Sequence, residues 1–72
     1  MSKQENLIFA GKVVELMPGG KFRVKLENNH TVIGTLAGKL RQHRIHIILG
    51  DSVDVEITPY DVDRGRIIYR HR

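Results

Sequence analysis

Gly38-Lys39-Leu40-Arg41-Gln42-His43-Arg44-Ile45-His46-Ile47 is the stretch on which the fold turns. Everything on either side of it has the patterning of short β-strands. Within it, Lys39 to Arg44 has no period-two alternation and reads as one or two helical turns, with Leu40 as the only apolar anchor. So short a helix is stable only when packed against something larger. Ile45-His46-Ile47-Ile48-Leu49 is apolar enough to return the chain to a core.

Working outward, the cleanest alternation is Lys21 to Leu26. Phe22, Val24 and Leu26 fall on one face and Lys21, Arg23 and Lys25 on the other, a half-buried antiparallel strand with a basic outer face. Pro18-Gly19-Gly20 forms the turn before it and Asn28-Asn29 the turn after it. Thr31 to Leu36 is the next strand, with Val32, Gly34 and Leu36 on one face. Beyond the connector, Gly50-Asp51 is a turn, and Val53, Val55 and Ile57 alternate with Asp54, Glu56 and Thr58. Residues 59–65 read as the last connection and Arg66 to Arg70 as the last strand, with Ile67 and Tyr69 inward and Arg66, Ile68 and Arg70 outward. At the other end, 1–6 reads as a flexible tail and 7–17 as the first strand, where Gly11 signals a bulge or a sharp bend.

Five strands in 72 residues cannot fill two separate sheets. Closing them into a barrel leaves no open edges and needs one core. A helical connector between strands three and four is the arrangement of the OB-fold, a five-stranded barrel that commonly binds oligonucleotides. An SH3-like barrel would lack the connector. The expectation is one all-β OB-fold domain over 1–72.

The composition narrows the function. No cysteine is present, which excludes disulfides and thiolate metal sites. Residues 1–6 lack the apolar run of a signal peptide, and no stretch approaches the ~18 apolar residues of a membrane span. Twelve Lys and Arg face eight Asp and Glu, for a net charge of +4. Lys39, Arg41 and Arg44 lie in a middle section with no acid between Glu27 and Asp51; Arg64, Arg66, Arg70 and Arg72 form a tail with no acid after Asp63. The remainder is net negative, so the cations are concentrated, as on a surface that binds a polyanion.

Guanidinium and ammonium groups hold phosphate oxygens by charge-assisted hydrogen bonds. Lys39, Arg41, Arg44, Arg64, Arg66 and Arg70 are therefore the candidate RNA contacts, and His43 and His46 join them by position. A zinc site at His43 and His46 would need further ligands, and the segment has no cysteine or carboxylate. His30 and His71 read as structurally neutral. No serine stands beside a base as a nucleophile, and Gly19-Gly20 lacks the spacing of a phosphate loop, so neither an enzyme nor a cofactor is expected. With Phe22 and Tyr69 assigned to the core, Tyr60 is the only loop aromatic left for stacking. That favours recognition of folded RNA through phosphates and shape over threading of a single strand.

The chain resembles bacterial-type translation initiation factor one, a family with a chloroplast form. The resemblance rests on Leu16 to His30, Gly38-Lys39-Leu40-Arg41, Ile45-His46-Ile47, Gly50-Asp51 and Thr58 to Arg70, and spans essentially the whole chain. It implies an OB-fold that binds the small ribosomal subunit at the aminoacyl-tRNA site. Its partners would be ribosomal RNA at the decoding site, a neighbouring ribosomal protein and the other two initiation factors. It also implies a monomer acting in the cytoplasm, or in the chloroplast stroma for a plastid-encoded chain. Lys39, Arg41, Arg64, Arg66 and Arg70 match the family's contact positions. Gln42 stands where a basic residue is usual, His46 where arginine is usual, and Arg44 where an aromatic is common. Two other readings stay open. A cold-shock-type RNA chaperone would need exposed aromatic motifs on strands two and three. A protein–protein adaptor would leave the basic clusters unexplained.

Overall fold

The computed structural model describes residues 6–71. Its elements are β1 (Leu7–Met17), β2 (Lys21–Leu26), β3 (Thr31–Leu36), α1 (Gly38–Gln42), β4 (Ser52–Thr58) and β5 (Asp61–Arg70). The strands close in the order β1-β2-β3-β5-β4, giving the all-β OB-fold barrel with the helix between β3 and β4. Most pairs are antiparallel; β3 and β5 run parallel, because α1 and β4 lie between them in the chain.

The alternating strands place their faces as read. Val24 and Leu26 of β2, Val32 of β3, and Val53, Val55 and Ile57 of β4 are buried, together with Val13 and Ile67. Most of these are β-branched, which suits a pleated surface packed on one side. Phe9, Phe22, Leu36 and Ile45 pack against this cluster, and Leu40 and Ile47 enter it from the connector.

β1 pairs with two neighbours: Leu7 to Lys12 with β4, and Gly11 to Met17 with β2. Gly11 therefore sits at the corner where the barrel closes, and a Cβ there would lie 2.7 Å from Val24 Cγ1. The change of partner strand falls at Gly11 and Lys12, and the register shift comes later, between Val13 and Glu15.

Three expectations are corrected. The last connection is not 59–65: only Pro59 and Tyr60 turn the chain, and β5 already starts at Asp61, opposite Thr58. The Thr58 hydroxyl accepts the Tyr60 N–H at 3.2 Å, which lets the reversal be this tight. Tyr69 does not point inward; it is 55% exposed. Val55 pairs with Ile67, but the next partners are Asp54 and Tyr69, so Ile68 is an extra residue that shifts the alternation by one. Tyr69 thus shares the outer face of Asp54, while Arg70, expected outward, falls opposite the inward Val53. Finally, the apolar run after α1 only partly returns to the core. Ile47 is buried, while Ile48 and Leu49 are exposed on a turn.

The tail expected over 1–6 and the terminal Arg72 lie outside the described residues, except Asn6, whose Nδ2 donates to Glu56 Oε2 at 3.2 Å.

Candidate nucleic-acid interface

The site is built where β3 gives way to the connector. At Ala37 the chain leaves the ladder, and the Ala37 N–H donates to the carbonyl of Ile67 on β5 at 2.9 Å. This bond sets the start of α1 beside Ile67 of β5. Arg41 N–H then donates to Ala37 O at 3.0 Å, the first helical bond. Leu40, 8% exposed, is the buried anchor. With that face inward, Lys39 and Arg41 are left exposed, and His43 and Arg44 follow them, also exposed.

The rest of the connector is held by backbone. Val13 faces Val24 across β2, and its N–H and C=O turn toward the β4 side, where Asp51 O (3.0 Å) and Gly50 N–H (2.8 Å) take them. The Asp51 carboxylate accepts the Ile48 N–H at 3.0 Å and closes the turn. Arg70 donates through Nη1 to the backbone carbonyl of His46. The segment from His43 to Asp51 is therefore fastened to β1, to β5 and to itself.

The basic side chains separate into paired and unpaired. Arg23 Nε lies 2.8 Å from Glu15 Oε1, Arg64 Nε lies 3.8 Å from Asp61 Oδ2, and Arg70 is committed to His46. Among the described residues, Lys12, Lys21 and Lys25 on β1 and β2, Lys39, Arg41 and Arg44 on the connector, and Arg66 on β5 have no side-chain hydrogen-bond or ion-pair partner. Arg66 lies across from Thr35 of β3 and Glu56 of β4, one residue before the Ile67 that receives the Ala37 N–H. The connector cations and Arg66 thus flank a single β3–β5 seam. Arg64 is two residues back along that strand, beside an open cleft lined by Thr35, Glu56, Thr58, Asp61, Arg64 and Arg66. The cleft mixes both signs of charge, whereas the connector has no acid before Asp51. His43 and His46 are exposed within the connector, as their position implied. Among the described residues no group of three or more His, Cys, Asp or Glu could hold a metal ion.

Two histidines read as neutral have structural partners. His30 Nε2 lies 3.1 Å from Val62 O and 3.3 Å from Asp63 Oδ1, joining the β2–β3 turn to β5. His71 Nε2 lies 2.8 Å from Asp54 Oδ1, and its ring meets Tyr69 edge to face at 4.9 Å. No local sequence signal marks these contacts, which span 32 and 17 residues. The Asp51 turn was more legible: an aspartate after glycine often bonds nearby backbone. The inventory of exposed aromatics also grows, since Tyr69 joins Tyr60, 83% exposed, on the surface.

The model of the family Translation initiation factor 1A / IF-1 matches residues 1–72. Proteins from two strains of Rickettsia bellii, each named translation initiation factor IF-1, are 54% identical over 72 residues, covering 100% of this chain and 99% of theirs. The solution structure of the same initiation factor from the Wolbachia endosymbiont of Brugia malayi is 43% identical, with a TM-score of 0.78 over 93% of this chain and 79% of that one. The crystal structure of YjeQ from Thermotoga maritima, 27% identical, superposes with a TM-score of 0.73 over 92% of this chain but 23% of its own.

Proposed function

The chain belongs to the translation initiation factor 1A / IF-1 family, and we propose that it binds the small ribosomal subunit at the aminoacyl-tRNA site through the connector and the β3–β5 seam. The observation that supports this reading best is the grouping of unpartnered cations at one place: Lys39, Arg41 and Arg44 on a connector fastened to the barrel before any ligand arrives, and Arg66 on the adjoining β5. A prearranged set of donors loses little entropy on meeting phosphates. Phosphate contacts position a protein on RNA without reading bases, which fits a non-catalytic factor that docks on one folded surface. Arg64 is a weaker contact because Asp61 competes for it, and His43 and His46 line the rim. On this reading the whole of 1–72 acts as one monomeric RNA-binding domain without a cofactor. Its partners are decoding-site ribosomal RNA, a neighbouring ribosomal protein and the other two initiation factors. Its compartment is that of bacterial-type ribosomes: the cytoplasm, or the stroma for a plastid chain.

The test compares binding to isolated small ribosomal subunits with binding to an unstructured RNA of similar length. Preference for the subunit is expected. Equal affinity for both would return the chain to the RNA-chaperone reading, and no affinity for either would leave an adaptor.

A further inference from the structure

We propose that Arg44 is a strained presenting residue: the end of α1 holds it in the left-handed backbone region, and the stability so forgone is offset by a phosphate contact in the RNA complex. The inference rests on the function proposed above and deepens it.

The geometry comes from the helix terminus. His43 ends α1 with φ −87° and ψ 5°. Ile45 N–H donates back to Leu40 O at 3.1 Å, and Arg44 N–H to Arg41 O at 3.2 Å. This pair of bonds defines the Schellman motif, whose residue after the cap must be left-handed and is usually glycine. Here it is Arg44, at φ 53°. A side chain in that region brings Cβ against a carbonyl oxygen. Among the described residues the other positive-φ positions are Asn29, a residue that tolerates the region, and Gly19, Gly20 and Gly50. Arg44 alone has no such excuse.

The strain cannot relax locally. Leu40 and Ile45, on either side of the motif, both pack against the core, and Ile47 is buried two residues further on. Moving Arg44 to the right-handed region would redirect the chain and unseat them. Nor does the free protein use the guanidinium, which is exposed and unpartnered among the described residues. Strain at a position whose side chain does nothing internally points outward, to a ligand. The neighbouring free cations Lys39 and Arg41 make that ligand anionic, and the planar guanidinium suits phosphate oxygens.

The experiment measures the melting temperature of the free protein, and its affinity for isolated small ribosomal subunits at several salt concentrations, for wild type, Arg44→Gly, Arg44→Lys and Lys25→Ala. Lys25 is an exposed cation on β2, paired with Thr31 at the end of β3 far from the connector. Arg44→Gly is expected to keep or raise Tm, by up to about 5 °C. It should weaken binding on the order of tenfold and reduce the slope of log affinity against log salt by about one. Arg44→Lys should keep the wild-type slope, and Lys25→Ala should leave affinity and slope unchanged. A fall in Tm for Arg44→Gly would show that Arg44 supports the free fold and would overturn the strain argument. Unchanged affinity and slope in Arg44→Gly, with wild type binding tightly, would overturn the phosphate contact alone. A drop of equal size in Lys25→Ala would reduce the effect to net charge and also overturn it. Failure of wild type to bind the subunit would overturn the proposed function and this inference together.

Discussion

Arg70, at the end of β5, donates from its guanidinium to the backbone carbonyl of His46, 24 residues earlier in the chain. The bond locks the connector over the end of the barrel opposite Val53. It also takes up one of the donors of an arginine expected from the sequence to contact RNA.

Arg70→Ala should therefore destabilise the free protein by about 1–2 kcal/mol, the range for a hydrogen bond from a charged donor. Amide exchange at Ile45 to Ile48 should quicken with it. Thermal melts and hydrogen exchange check both; a loss of subunit binding with no change in either would make Arg70 a direct contact after all.

Gly65 sits where β5 crosses the core. A Cβ on it would lie 2.5 Å from Val55 Cγ1 and 3.1 Å from Glu56 O. Gly65→Ala should cost about 1–3 kcal/mol through overpacking, whereas Gly38→Ala, with nothing within 4 Å, should be neutral or gain up to about 1 kcal/mol as a helix residue. Equal melting temperatures for the two variants would contradict the packing described.

Val24 is fully buried and Lys25 is exposed. Val24→Ala should cost about 1–3 kcal/mol, by loss of buried methyl groups, and Lys25→Ala less than about 0.5 kcal/mol. Denaturant midpoints separate them, and similar losses would mean that the β2 register is wrong.

Subunit binding should weaken steadily as salt rises, through release of counterions. Lys39→Ala, Arg41→Ala and Arg66→Ala should each lower the salt slope by about one, and Arg64→Ala by less, because Asp61 already lies 3.8 Å away. His46→Arg adds a permanent cation to an exposed position and should steepen the slope and raise affinity. A flat salt response in wild type would end the electrostatic account.

Much of the barrel was legible because β2 and β4 alternate without interruption. Val24, Leu26, Val53, Val55 and Ile57 are buried as read. The location of the cations was legible too, since an acid-free run is a property of the chain itself. The helix was predicted from the loss of alternation at Lys39 and from Leu40, and it spans Gly38–Gln42.

What escaped was whatever depends on a distant neighbour. Alternation assigns faces only until an extra residue enters, and Ile68 is such a residue, inserted just past the last β5 position that pairs with β3. That one residue decided that Tyr69 is exposed and that Arg70 falls opposite the buried Val53. Which arginines stay free was likewise invisible, since Glu15 meets Arg23 across two strands and His46 meets Arg70 across the barrel end. A small basic barrel with a cationic connector between its third and fourth strands could be read from the residues alone, because period-two patterning and charge runs are local. The folded barrel settled which of those cations stay unpaired, because partners such as Glu15 for Arg23 and the His46 carbonyl for Arg70 are brought alongside only by strand pairing and barrel closure.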